Sequence, residues 1–160
     1  DEMICDFIKT ESIIFELNGE DRDEVLAELT ERIIYLSPVL KRNDVFKALV
    51  EREEKMSTLV AEYLAVPHAV SALISEPVVV LGISHKGVEF DLSVSSKDSN
   101  IAKLVFCIVF PEDKPGQHLQ ILKDILLLVK EPGFLNKVLS QEKCSEIVDI
   151  INETSKSTVF

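Results

Sequence analysis

The stretch LVFCIVF, residues 104–110, decides the fold of this 160-residue chain. Seven consecutive apolar residues without alternation predict a strand that is buried on both faces, in the centre of a sheet. The loop PEDKPG (111–116) follows, and from Gln117 the apolar residues recur at helical spacing. The apolar stripe predicted for this helix comprises Leu119, Leu122, Leu126 and Val129, widened by Ile121 and Ile125. Strand, loop and helix in this order are typical of an α/β domain.

The elements before this stretch alternate in the same way. SIIFEL (12–17) predicts a strand that ends at the turn pair Asn18-Gly19. A helix is predicted from Asp21 to the Ser37-Pro38 pair, and a second helix begins with Asn43 as its N-cap. VVVLGIS (78–84) is the strongest predicted strand. We expect residues 85–87 to form a turn, and the next segment, VEFDL, to form a strand that pairs with VVVLGIS.

Two shorter helices, FLNKVLS and EIVDIINE, are predicted after the Glu131-Pro132 break, and residues 95–100 predict a polar loop. The order of elements predicts a single α/β domain over residues 1–160, a sheet with helices packed on its faces. Residues 155–160 are expected to fray. The chain opens with Asp1 rather than Met, so we expect that this is not a native translation start and that the chain is either trimmed or a domain cut from a longer protein.

Charge and composition exclude several classes of protein. The net charge of −11 argues against nucleic acid as a partner and favours basic protein surfaces. The three cysteines, Cys5, Cys107 and Cys144, form no C-x-x-C pair, which indicates reduced thiols in a cytoplasmic protein. No apolar run approaches the ~20 residues that a bilayer requires, so direct membrane insertion is not expected.

His68 is the sharpest candidate for chemistry. Pro67 fixes the backbone before it, and Arg52, Ser57 and Thr58 precede it closely. A neutral imidazole can attack phosphorus and later act as a leaving group, while a guanidinium neutralises phosphoryl oxygens. A lone histidine is nevertheless more often a loop residue that bonds a carbonyl, and that alternative stays open for His68.

Of the other two histidines, one is a candidate site residue and the other is not. His118 lies in the first turn of a helix, where it is either solvent-exposed or a hydrogen-bond donor to the same phosphoryl group. His85 is interpreted as a turn residue. A metal site from His68, His118 and an acid lacks any H-x-x-H or H-E-x-x-H spacing, so neither a metal nor another cofactor is expected. Without a glycine-rich phosphate loop or a kinase fingerprint, an ATP-dependent kinase is not expected either.

These residues resemble the enzyme IIA domain of the bacterial sugar phosphotransferase system, in its fructose–mannitol class with the nitrogen-regulatory relatives. The matching motifs are Arg52-Glu53, Ser57-Thr58, the segment AVPHA (65–69) and the later His118-Leu119 with its helical leucines. Where the family usually carries glycines, residues 59–63 read LVAEY. We expect this change to bear on partner docking, since glycine permits close approach of a partner backbone.

The resemblance implies a mixed sheet with helices on both faces and a role for each site residue. His68 would be the phosphorylated nucleophile, His118 the second active-site histidine and Arg52 the phosphate-stabilising cation, with Ser57 and Thr58 as candidate phosphate contacts. The phosphoryl group would come from the histidine-containing phosphocarrier protein and pass to a cysteine of an enzyme IIB domain. The alternative is a regulatory domain of the same fold, from a transporter or a transcriptional or nitrogen regulator, that acts by phosphorylation-dependent protein binding.

Overall fold

The computed structural model describes residues 2–93 and 100–158, so the predicted loop 95–100 lies, except for Asn100, outside the described residues. The apolar stretch 104–110 forms the centre of strand β6 (Ile101–Pro111), as predicted. The other strands are β1 (Ile13–Ile14), β2 (Leu59–Ala61), β3 (Tyr63–Ala65), β4 (His68–Ser71) and β5 (Val78–Glu89). Together they form one six-stranded mixed sheet in the order β1-β5-β6-β3-β2, with β4 also paired to β6.

Strand β6 has neighbours along both of its edges. Strand β5 runs antiparallel to it on one side. On the other side, β3 and β4 lie parallel to β6 one after the other, with Leu64 opposite Leu104 and His68 opposite Ile108. Both faces and both edges of β6 are therefore covered, which explains why its sequence shows no alternation.

Helices pack on both faces of the sheet, as predicted. They are α1 (Arg22–Leu36), α2 (Arg42–Lys55), α3 (Pro115–Lys130), α4 (Phe134–Leu139) and α5 (Cys144–Thr158). Successive side chains of β6 point to opposite faces: Phe106, Ile108 and Phe110 pack in the core beneath α3–α5, while Cys107 and Val109 pack beneath α1 and α2. None of the helices within residues 2–93 and 100–158 is long and apolar enough to cross a bilayer.

The predicted turn at residues 85–87 is wrong, because β5 continues through it. In the β5–β6 ladder Ile83 lies opposite Leu104 and Val88 opposite Ala102, so four residues of β5 face one residue of β6. The extra residues form a bulge, in which Gly87 takes φ = 85° and its N–H donates to Ser84 Oγ at 3.1 Å. The glycine of this triplet therefore belongs to a bulge and not to a chain reversal.

The stripe predicted for α3 is rotated relative to the buried face. Leu119 is 71% exposed, and the fully or nearly buried positions are Ile121, Asp124, Ile125 and Leu128. The apolar residues of this helix lie on nearly all of its sides, so their spacing alone does not predict which side is buried. Asp124 is buried because its carboxylate accepts hydrogen bonds from Ile4 N (3.2 Å) and Gln120 Nε2 (2.8 Å).

Several boundaries also differ from the predictions. Helix α2 begins at Arg42 with Lys41 as N-cap, so Asn43 is not the cap, and α3 begins at Pro115 rather than at Gln117. Of the predicted strand 12–17 only two residues form β1, although Leu17 N also donates to Ile83 O of β5 at 2.7 Å. Helix α5 extends through Thr158, which makes the described part of the expected frayed tail helical.

Candidate functional site

His68 opens strand β4 directly after a break in backbone pairing. Pro67 has no N–H, and its carbonyl accepts from Ile108 N at 3.1 Å, which keeps the chain against β6. Val66 turns away from β6, so that its N–H donates to Thr58 O at 3.0 Å. The Val66 carbonyl oxygen then lies 2.7 Å from His68 Nδ1. Because a carbonyl can only accept, Nδ1 carries the proton, and in the neutral ring Nε2 keeps a free lone pair.

The structure brings His118 next to His68. Their ring centroids lie 5.3 Å apart, with an interplanar angle of 78°. Phe110, the last apolar residue of the central stretch, stacks on the His118 ring at 3.8 Å and meets the edge of His68 at 6.1 Å. Phe110 is fully buried, so its ring is held in place and sets the angle between the two imidazoles that pack against it.

Arg52 lies in the last turn of α2, as predicted, and its Nη1 donates to Met56 O at 2.7 Å. Burial lowers the pKa of His68 from its ordinary value of 6.5, and the positive charge of Arg52 lowers it further, against the opposing effect of the Val66 carbonyl. The pKa of His118 is lowered by burial, then by His68 and Arg52. Both imidazoles are therefore held neutral in the range where an exposed histidine begins to protonate.

Of the two predicted phosphate contacts, only Ser57 keeps its hydroxyl proton uncommitted. Ser57 Oγ accepts from Leu59 N at 3.1 Å. Thr58 is buried, and its hydroxyl donates to the Glu53 carboxylate, which also accepts from Thr58 N at 3.0 Å. The Thr58 hydroxyl is thus directed into the protein in this structure, and Ser57 stays the better candidate of the pair.

Residues 59–63, LVAEY, form β2 and the start of β3. Strands β2 and β3 pair antiparallel with an irregular register, separated only by Glu62. Tyr63 takes φ = 63°, a left-handed conformation that glycine adopts at lower cost. The ring of Tyr63 lies 5.1 Å from Lys103 Nζ, a cation–π contact that fixes the side chain beside the strand.

His85, interpreted as a bystander, lies apart from the paired histidines. Its ring contacts the Glu16 carboxylate through Nδ1 and Leu139 O through Nε2 at 3.1 Å, and it packs against Phe15. These contacts connect β5 to α4 and to the segment before α1. Among the residues that the structure describes, no group of three His, Cys, Asp or Glu side chains is arranged to hold a metal ion.

Comparison with known proteins assigns the family. Residues 6–154 match the family model of the phosphoenolpyruvate-dependent sugar phosphotransferase system, EIIA 2. A fructose-specific EIIABC component of Bacillus subtilis is 27% identical over 153 residues, 96% of this chain and 24% of that protein. A fructose-specific EIIA component of Haloferax volcanii is 31% identical over 112 residues, 70% of each chain. A nitrogen regulatory protein of Bradyrhizobium diazoefficiens is 24% identical over 148 residues, 92% of this chain and 94% of that protein.

Solved structures agree with the fold. Nitrogen regulatory protein IIA-Ntr from Neisseria meningitidis superposes with a TM-score of 0.81 at 21% identity, over 92% of this chain and 98% of that one. Enzyme IIA-mannitol from Escherichia coli, solved in complex with phosphorylated enzyme IIB-mannitol, gives 0.74 at 17% identity, over 91% and 97%. The chain belongs to the EIIA 2 family of the sugar phosphotransferase system, of fructose–mannitol type with nitrogen-regulatory relatives.

No role in the site was predicted for two residues, Phe110 and Glu53. Phe110 was recognised only as part of an apolar strand, although it ends that strand on the face where α3 begins. Glu53 was recognised only as part of the Arg52-Glu53 motif, and no role was predicted for its side chain. Its burial depends on a contact with Thr58 that only the folded chain shows.

Proposed function

We propose that this domain is a phosphoryl carrier that takes a phosphoryl group on Nε2 of His68 from the histidine-containing phosphocarrier protein and passes it to a cysteine of an enzyme IIB domain. The observation that carries the proposal is the ring arrangement at His68. Its Nδ1 is bound to the Val66 carbonyl, while a second imidazole and the charge of Arg52 lie beside it.

The transfer needs only groups that this site supplies. The lone pair of His68 Nε2 attacks phosphorus while the P–N bond of the donor phosphohistidine breaks. Nδ1 keeps its proton through the hydrogen bond to Val66 O, so the new phosphohistidine needs no separate base. Arg52 and an N–H of His118 are the groups that stabilise the oxygens of the transition state. In the second step the P–N bond breaks and a P–S bond forms on the acceptor thiolate.

Apolar side chains next to both histidines support docking of protein partners. Val70, two residues after His68, is 57% exposed, and Leu119, directly after His118, is 71% exposed. Exposed apolar side chains grouped beside a reactive residue are typical of a protein interaction site. A phosphoryl group passed between proteins requires such a surface on the carrier.

Reconstitution tests the proposal. The domain is incubated with enzyme I, the phosphocarrier protein and radioactive phosphoenolpyruvate, and acid-labile label is counted. Wild-type protein should take label and His68→Ala should take none. His85→Ala is the matched control and should label normally, because His85 lies outside the site. His118→Ala should label about a hundredfold more slowly, the cost of removing one donor to a developing charge. Label on His68→Ala, or none on wild type, would sink the proposal.

A second candidate is a regulatory domain that binds a partner according to its phosphorylation state. The similarity to a nitrogen regulatory protein over 94% of that protein's length favours it. The two candidates differ in the fate of the label. A carrier should lose its label to the isolated IIB domain of a fructose or mannitol transporter within one mixing experiment. A regulator should keep the label on His68 in the presence of IIB.

A further inference from the structure

Glu53 is a buried carboxylate with an unusual pair of contacts. It lies near the end of α2 and is only 4% exposed, unlike its neighbours Glu51 and Glu54, which are exposed. One oxygen accepts from the backbone N–H of Thr58 at 3.0 Å, and the other accepts from the Thr58 hydroxyl. A carboxylate that gives both oxygens to one residue fixes the backbone and the side chain of that residue together.

The next two contacts lead from Thr58 to the reactive imidazole. The Thr58 carbonyl accepts from Val66 N at 3.0 Å, just before the β2–β3 ladder in which Leu59 pairs with Ala65. The Val66 carbonyl accepts from His68 Nδ1 at 2.7 Å. The carboxylate and the imidazole are therefore connected by three consecutive hydrogen-bonded links.

Two described contacts fix Val66 besides its bond to His68: its side chain is buried in the core, and its N–H donates to Thr58 O. Val66 does not pair with β6, since the ladder passes from Ala65 to His68 and the intervening bond to β6 comes from the Pro67 carbonyl. The Val66 peptide groups are thus oriented by Thr58 on one side and by the rigid proline on the other. A displacement of the Thr58 carbonyl would remove the hydrogen bond to Val66 N, and with it a contact that sets the direction of the acceptor for His68 Nδ1.

We infer that Glu53 is a positioning residue for His68, which it acts upon through Thr58 and Val66. It keeps the Val66 carbonyl in place to hold the proton on Nδ1 and leave Nε2 free. The consequence for phosphoryl transfer rests on the proposed function. The consequence for the tautomer of His68 does not, because it is a property of the unphosphorylated protein.

Imidazole ¹⁵N chemical shifts of His68 measure this directly. In the wild type they should show one dominant neutral tautomer with the proton on Nδ1. Glu53→Met keeps the side-chain length but cannot accept, and it should give averaged shifts of two tautomers. Its rate of phosphorylation should fall on the order of tenfold, as when a group that orients a functional histidine is removed. Glu54→Gln is the matched control at the exposed neighbour and should leave the shifts and the rate unchanged. Wild-type-like shifts in folded Glu53→Met would overturn the inference.

Two milder variants cover the case in which Glu53→Met does not fold. Thr58→Val removes only the hydroxyl hydrogen bond and should change the ¹⁵N shifts of His68 in the same direction by a smaller amount. Thr58→Ser keeps the hydroxyl and should keep the wild-type shifts. A Thr58→Val protein with wild-type shifts would also contradict the inference. If the ¹⁵N shifts change as expected but neither the wild type nor any variant is phosphorylated, the proposed function fails while the positioning role of Glu53 stands.

Discussion

Four glycines allow the two steric costs of adding a methyl group to be measured separately in one protein. At Gly87 the backbone has φ = 85°, and a Cβ would lie against Cγ2 of Ile101, closer than real carbon atoms approach. Gly133 has φ = 81° with open space around a Cβ. Gly116 combines an ordinary φ with open space. Gly82 has an ordinary φ, but its Cβ would meet leucine methyl groups at 2.9 Å.

The expected changes in the free energy of unfolding follow from these surroundings. A left-handed backbone costs an alanine about 1–2 kcal/mol. Overpacking costs about 1–3 kcal/mol. Every glycine-to-alanine change also gains about 0.4–1 kcal/mol from the unfolded chain. Gly87→Ala should therefore lose about 2–4 kcal/mol, Gly82→Ala about 1–2 and Gly133→Ala about 1, while Gly116→Ala should gain about 0.5.

Urea unfolding of the four variants, monitored by circular dichroism, gives their free energies of unfolding. A common dependence of these free energies on urea concentration checks two-state behaviour. The ranking is the sharper result, since it does not depend on the absolute values. If Gly87→Ala loses no more than Gly133→Ala, the close approach of Ile101 in the bulge is wrong. If Gly116→Ala destabilises the protein, the start of α3 beside His118 is not as described.

Three further predictions concern titratable groups. Because the pKa of His68 is lowered from 6.5, the folded state binds fewer protons than the unfolded state below that pH. The free energy of unfolding should therefore fall as the pH drops through 6.5, and it should fall less in His68→Gln. Urea titrations on both sides of pH 6.5 measure this difference. Arg52→Gln removes a positive charge and should raise the pKa of His68 and His118 in an NMR titration; unchanged values would place the guanidinium elsewhere. Burial raises the pKa of the Cys107 thiol, so a thiol reagent should leave it unmodified in the native protein and modify it in urea, as peptide mass mapping would show.

The sequence predicted the features of the fold that depend on hydrophobic patterning. The stretch 104–110 becomes the central strand because a strand buried on both faces has to be apolar throughout. Helix α1 begins and ends as predicted, since Asp21 accepts from Glu24 N as an N-cap and Ser37 precedes a proline. The buried face of α3 was not predictable in the same way, because too many of its positions are apolar to distinguish one stripe.

The sequence indicated the candidate residues of the site but not the contacts that orient them. His68, His118 and Arg52 carry recognisable chemistry, and the structure brings their charges and rings together. Val66 and Glu53 belong to motifs that the sequence offered, but the roles of the Val66 carbonyl and the Glu53 carboxylate were not predictable, because these roles arise from backbone direction and burial. The bulge at residues 84–87 escaped for a related reason, since its glycine signal fits a turn and a bulge equally well.

The most direct test of the central claim locates the phosphoryl group on a single nitrogen atom. Uniformly ¹⁵N-labelled domain is phosphorylated by enzyme I and the phosphocarrier protein, and the imidazole nitrogens are examined for coupling to phosphorus. The geometry predicts coupling at Nε2 of His68, with Nδ1 still protonated against the Val66 carbonyl. Coupling at Nδ1 of His68, or at any nitrogen of His118, would contradict the account.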